Sequence, residues 1–248
     1  MATPRHLQNA PITEALIDFR VKARKAFKAI EFDALKSELS GRFPIVRERR
    51  GLVATFEFQV DKQLPARTED LGPQGLFFAT ADEKTILQFR IDGFTMNRLR
   101  PYTSWQELFP VAMEMWQLYA SLARPEFVTR IALRYTNQIE LPPSVDAFEQ
   151  YLTAPPIVPQ GLPQLVSAFL TRVTIHDATT QNAVHVSQAL EHDAVARRAK
   201  VILDIDAFRT VDYEPQDARI MTTLEQLHSF KNLVFFSSVT EATLSLFE

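Results

Sequence analysis

The sequence predicts an α+β fold of two duplicated β-α-β-β-β-α halves related by a pseudo-twofold axis, with antiparallel sheets and the helices packed on one side. Three observations predict it. First, Phe32-Asp33-Ala34-Leu35-Lys36-Ser37-Glu38-Leu39 resembles Val145-Asp146-Ala147-Phe148-Glu149-Gln150-Tyr151-Leu152 at an offset of 113, and Ile91-Asp92-Gly93-Phe94 resembles Ile205-Asp206-Ala207-Phe208 at an offset of 114. Two matches at nearly one offset are the mark of an internal repeat. Second, strand-like and helix-like segments follow one another in the same order in both halves. Third, no Ser/Gly-rich linker separates the halves, because a long helical segment runs through Arg124-Pro125-Glu126 straight into the next strand. The chain therefore reads as a single domain over 1–248, with repeat halves at about 10–125 and 126–248 that share one core.

Taken in order, residues 15–21 alternate like a strand. Residues 32–43 give a helix whose Asp33 precedes apolar residues three and four apart, as an N-cap does. Residues 50–60 are β-branched and aromatic, hence a strand. Strands 76–80 and 85–95 flank Asp82-Glu83-Lys84, a hairpin turn. Ser104 opens a long helix with Glu107 three residues on, and the helix closes at Arg124 before Pro125. This helix is apolar nearly all round, from Trp105 and Leu108 to Tyr119 and Leu122, so it is either deeply buried or partly a partner interface. The second half repeats the plan with strand 127–139, helix 145–153, strands 165–177, 182–190 and 200–210, and helix from about 216 to the end. Ser238-Val239-Thr240-Glu241 reads as a fresh capping box that breaks this last helix near 231–238. Leu141-Pro142-Pro143 and the segment 155–163 read as rigid loops.

Composition bounds the chemistry. The chain has 248 residues, a net charge of -3 and no cysteine. That excludes disulfide frameworks, thiol nucleophiles and thiolate zinc sites. Its six glycines form neither a dinucleotide fingerprint nor a Walker loop, so no nucleotide cofactor is expected. The stretch from Met1 to Pro11 lacks the pattern of a secretion signal, and no run of ~18 apolar residues exists to span a bilayer, so a cytoplasmic protein without membrane contact is the expectation. Nineteen phenylalanines supply ample apolar area for a core.

Candidate site residues fall on the strands. Gln88, Arg90 and Asp92 alternate against Leu87, Phe89 and Ile91; Arg130 and Arg134 alternate against Ile131, Leu133 and Tyr135; Arg172 and His176 oppose Val173 and Ile175. Period two puts such residues on one face, giving an apolar face for the helices and a face rich in Arg and Asp. Guanidinium forks bind carboxylate and phosphate bidentately, so that face is either a site for a small anionic ligand or acidic partner, or a salt-bridged surface. Asp204 and Asp206 lie two apart on one strand and share a side; they are either an acid pair or the structural companions of the arginines. His176, His185 and His192 sit on or beside neighbouring strands, but without HExxH or His-x-His spacing they read as surface or locally bonded side chains, and no metal site is expected. From Arg20 to Arg50 the chain carries ten Lys/Arg against four Asp/Glu, either a solvated helix face or a stripe for a nucleic-acid backbone; no known nucleic-acid motif accompanies it.

Three segments carry a family resemblance. Asn9-Ala10-Pro11-Ile12-Thr13-Glu14-Ala15-Leu16, then Gly93-Phe94-Thr95-Met96-Asn97-Arg98-Leu99-Arg100-Pro101-Tyr102 with Trp105, then Leu133-Arg134-Tyr135-Thr136-Asn137-Gln138-Ile139 resemble a sporadically distributed family of uncharacterised bacterial and archaeal proteins of similar length. The similarity runs from Leu7 almost to the end, and Asn97, Arg98, Tyr102 and Trp105 stand at its central motif. The resemblance brings no catalytic residues with it; its patchy distribution implies defence-linked loci, such as toxin–antitoxin or anti-phage genes. With no nucleophile, metal or nucleotide motif in view, the expectation is a non-enzymatic interaction protein that binds a protein partner, antitoxin-like or part of anti-phage defence. The alternative is a small-anion-binding protein or enzyme that uses the Arg/Asp face.

Overall fold

A computed structural model describes residues 2–55, 58–59, 62–63, 67–142, 148–193 and 198–248. In chain order these form β1 (Ile12–Lys22), a 3-10 turn (Ala29–Ala34) leading into α1 (Leu35–Leu39), β2 (Ile45–Thr55), the two-residue strands β3 (Phe58–Gln59) and β4 (Lys62–Gln63), β5 (Arg67–Ala79), β6 (Thr85–Arg90), β7 (Gly93–Leu99) and α2 (Trp105–Ala123). There follow β8 (Phe127–Glu140), a 3-10 turn (Phe148–Gln150), β9 (Leu170–Asp177), β10 (Asn182–Asp193), β11 (Arg198–Tyr213), α3 (Arg219–Ser238) and α4 (Glu241–Leu244). Mixed α and β structure is thus organised around one nine-stranded antiparallel sheet, ordered β2-β5-β6-β7-β1-β8-β11-β10-β9. Among the described residues no helix is long and apolar enough to cross a membrane.

Strand alternation builds the core. On β1, Ala15, Ile17 and Phe19 are wholly buried, and the register places Ile17 beside Met96 on one side and Leu133 on the other. The row continues through Ala207 and Val184, so a single apolar face runs across the central strands. The helices cover that face. Phe19 stacks on Trp116 of α2 with centroids 4.1 Å apart, Phe32 of the first 3-10 turn meets Phe89 at 5.9 Å, and Arg209 of β11 donates to Gln226 of α3 at 2.6 Å. Two glycines permit the close backbone packing: a Cβ on Gly93 would lie 2.1 Å from the Phe19 carbonyl oxygen, and one on Gly75 2.1 Å from that of Phe89.

The expected α2 forms as read, with Ser104 Oγ accepting from the Glu107 N–H at 3.2 Å and Arg124 in the left-handed region at φ 45°. Its buried stripe runs from Trp105 and Leu108 through Met115 and Trp116 to Tyr119, and Phe109, Val111, Met113, Leu118 and Leu122 pack at its margins, which is the deep-burial alternative.

Other expectations need correction. Residues 85–95 are two strands, because the chain turns at Ile91 and Asp92, where Tyr119 Oη donates 3.0 Å to the Arg90 carbonyl and Gly93 slips against β1. The match of 91–94 to 205–208 therefore aligns a hairpin turn with the middle of β11. The first half also carries a long strand, β5, where only 76–80 was expected. The helix at 32–43 is one 3-10 turn and one α turn, and that at 145–153 reduces among the described residues to Phe148–Gln150, residues 143–147 lying outside them. The last helix breaks at Val239, and Thr240 caps α4 by accepting from the Thr243 N–H, while Ser238 Oγ bonds back to the Val234 carbonyl.

Candidate functional site

The sheet face away from the helices carries the predicted arginines and aspartates. Register places Asn97, Leu16, Arg134, Asp206 and His185 in one row across β7, β1, β8, β11 and β10, and Thr136, Asp204, Ser187 and Arg172 in the next. Alternation was therefore a sound guide to sidedness. The charges, however, are spent on one another. Arg134 grips Asp204 through Nε and Nη2 at 2.8 and 2.9 Å, and Arg130 Nη2 reaches both oxygens of Asp206 at 2.9 and 2.8 Å while its guanidinium covers the Phe208 ring. Arg90 is buried; it reaches Asp18 at 3.0 Å, Asp92 at 3.2 Å, and the Thr95 hydroxyl. Asp18 is the hub of the face. Burial pushes its carboxyl up, but Arg90, Thr95 and Arg20 outweigh that and hold it below the usual carboxylate range.

Arg172 and His176 do not join this network. They are exposed on the edge strand β9, three strands beyond Arg134, at a strand spacing of ~4.8 Å. His185 accepts or donates a bond with Thr174 at 2.9 Å and packs on Phe208; the side chain of His192 lies outside those described. Among the described residues no group of three His, Asp or Glu is placed to hold a metal. The Arg20–Arg50 excess is likewise met by acids, including Arg24–Glu31, Arg42–Glu114, Arg47–Glu83 and Arg50–Asp70.

A different site emerges where α3 crosses β8. A cavity of about 330 Å³ opens between the N-terminal segment, the loop before α2, β8 and α3. All three segments of the family resemblance reach it, through Pro11 and Ile12, Tyr102 and Trp105, and Tyr135 and Asn137. Lys231 forms part of its wall. Helical period explains its position, since Ile220, Leu224, Leu227, Lys231, Val234 and Phe235 form the buried stripe of α3.

Lys231 is 6% exposed, with Nζ 3.8 Å from the centroid of the Tyr135 ring and 2.6 Å from Asn232 Oδ1. Among the described residues no carboxylate pairs with it, and burial pulls its pKa down to about 7. Arg90, also a buried cation, has Asp18; among the described residues Lys231 has a ring face and an amide. Next to it His228 stacks on Trp105 with centroids 4.4 Å apart and planes at 7°, and burial together with Lys231 lowers the imidazole to about 4. Tyr102 and Tyr135 share a hydroxyl bond of 3.2 Å, and burial raises both phenols, so both carry their protons at neutral pH. Chemically the cavity offers aromatic walls, a hydroxyl pair and two cations, Arg5, which Glu241 and Glu248 hold, and Lys231, which among the described residues has no counter-ion.

Of the motif residues, Tyr102 and Trp105 line this cavity. Asn97 lies elsewhere, donating to Glu14 at 2.6 Å and accepting from Gln88 at 2.9 Å, and Arg98 donates to Thr85 at 2.8 Å. Lys231, His228 and Asn232 were not singled out from sequence; a lysine in the middle of an apolar helical stripe was the available signal. Comparison with protein-family models, curated proteins and solved structures finds no match for this chain.

Proposed function

We propose that the protein binds a small organic anion in the cavity beside α3, with the Lys231 ammonium as its counter-ion and Tyr102, Trp105 and Tyr135 against its apolar body. The observation that carries this is a buried cation with no acid of its own, lining a cavity of about 330 Å³. A buried, unpaired charge is costly, and a bound carboxylate or phosphate offsets that cost. Aromatic walls with a few convergent polar groups and a perturbed titratable residue are what ligand pockets commonly offer. This is the small-anion alternative, moved from the Arg/Asp face, where the carboxylates already occupy the guanidiniums, to a site on the other side of the sheet.

The test is calorimetric titration with benzoate and with 3-phenylpropanoate at pH 6 and pH 8. Binding should weaken about tenfold between them as the ammonium fraction falls around a pKa of about 7. Lys231→Met should abolish it. Equal binding by that variant, or no binding of either acid, would refute the reading.

A second reading, a protein partner on the sheet edge, is favoured by Leu170, Val173 and Ile175, which are 77%, 54% and 48% exposed on β9. An open strand with apolar side chains is a template for strand addition. An antitoxin-like or defence role belongs with this reading. Internal duplication is also part of our proposal. It is supported by the sheet order, which runs outward from the β1–β8 pair as β7-β6-β5 on one side and β11-β10-β9 on the other.

A further inference from the structure

We propose that the cavity takes α-oxo carboxylates and that Lys231 Nζ joins their ketone carbon as an imine. This rests on the anion-binding reading and names its substrate class. The amine is fixed by two contacts, Asn232 Oδ1 at 2.6 Å and the Tyr135 ring at 3.8 Å, neither of which is acidic. A carboxylate partner would keep the nitrogen protonated and unreactive; its absence leaves the lone pair free in part of the population. The charged and titratable groups around it are His228 on its own helix, Tyr135 from β8, Tyr102 ahead of α2, and Arg5 and His6 from the N-terminal segment. Among the described residues no carboxylate lines the cavity itself; Glu225 accepts from Trp105 at 3.2 Å behind its wall, and Glu241 and Glu248 hold Arg5.

The hydroxyl pair supplies the second requirement. A bond between two hydroxyls spends one proton and leaves the other, and among the described residues neither Tyr102 nor Tyr135 has another hydroxyl partner. The spare proton is available to a carbonyl oxygen in the cavity. The ammonium fraction of Lys231 draws in the carboxylate. In the neutral fraction the nitrogen lone pair attacks the adjacent ketone carbon, a C–N bond forms, and the carbonyl π pair moves to oxygen, which takes up a proton as nitrogen loses one. The carbinolamine hydroxyl then leaves with a further proton as water, the nitrogen pair closing the C=N bond. Amine and ketone become imine and water with no change of oxidation state. A protonated imine restores the positive charge beside the ligand's carboxylate. With a pKa of about 7, roughly half of Lys231 is neutral at pH 7, whereas an ordinary lysine is neutral in about one molecule in three thousand.

The experiment is incubation of the full chain with phenylpyruvate and sodium cyanoborohydride at pH 7, followed by intact mass measurement and peptide mapping. The expected result is one reduced adduct on Lys231, formed on the order of 50-fold faster than on exposed Lys22 or Lys36, because the gain in neutral fraction exceeds the loss of nucleophilicity. Lys231→Arg, which keeps a cation, should give no cavity adduct. Calorimetry with 3-phenylpropanoate, which lacks the ketone, separates the two claims. If it binds but phenylpyruvate leaves Lys231 unmodified, or modifies surface lysines equally, the imine proposal is overturned and the anion site stands. If neither acid binds, both fall.

Discussion

Lys231→Met is a direct test of the buried charge through stability alone. In the unfolded chain this amine holds its proton to about pH 10.5; in the fold it releases it near pH 7. Between those values the unfolded state binds more protons, so wild-type stability rises with pH across the window. The cost of burying the ammonium is thus full below pH 7 and gone above about 10.5. The depression of about 3.5 pH units corresponds to about 4–5 kcal/mol. That cost is already net of the ammonium's attraction to the Tyr135 ring, so the variant should gain about 4 kcal/mol at pH 6. For a chain of this size that raises the unfolding midpoint by roughly 10–15 °C. Thermal unfolding followed by circular dichroism at pH 6, 7.5, 9 and 10.5, on both proteins, reads the effect. The advantage of the variant should shrink with each step and vanish at the last. A difference that is the same at pH 6 and pH 10.5, or a variant less stable at pH 6, would refute the argument that an unpaired ammonium is buried there.

The Arg/Asp face calls for the opposite outcomes. Asp18→Ala should destabilise the fold by about 3 kcal/mol in urea titration, because it takes the buried carboxylate from Arg90 and leaves it the exposed Asp92, whereas Arg134→Ala, at a half-exposed pair, should cost less than about 1 kcal/mol. Since the Asp18 carboxyl is held below its ordinary 3.8, its contribution should be present above that value and lost as pH falls through the lower, folded one. His228 should remain neutral in a nuclear magnetic resonance titration until pH approaches about 4, and its midpoint should rise in Lys231→Met, which removes a neighbouring positive charge.

What the sequence made legible was whatever a period encodes. Alternation on 85–90, 127–140 and 198–213 assigned each arginine and aspartate its side of the sheet, and Ser104 with Glu107 marked the start of α2 to the residue. Where contact rather than period decided, the reading failed. The turn at Ile91 and Asp92 does carry a local signal, the Asp92-Gly93 pair, which the apparent alternation over 85–95 overrode; contact fixes the reversal, with Gly93 against the Phe19 carbonyl and Tyr119 holding the Arg90 carbonyl, both partners distant in sequence. The cavity was hidden for the same reason. Pro11, Tyr102, Tyr135 and Lys231 come from four separated segments, and only the antiparallel placement of β1 beside β8, with α3 laid over β8, brings them together.

Two kinds of cation on the two faces of the sheet separate a structural role from a functional one. Arg90, Arg130 and Arg134 are each met by a carboxylate from a neighbouring strand or turn, and the ladder they form is complete without any ligand. A complete ladder has no valence left for an anion: binding one would require breaking a bidentate pair and exposing a carboxylate to the incoming charge. Lys231 differs in that its surroundings are aromatic and neutral, so its protonated form gains from any anion that enters, and the same cavity is wide enough to admit one. Had that lysine served only to fill space, methionine would do so at lower cost, since Ile220, Leu224 and Leu227 on the same stripe are already apolar. The stability lost by holding an ammonium there is the expected signature of a site, where local strain against the fold is retained for what it binds.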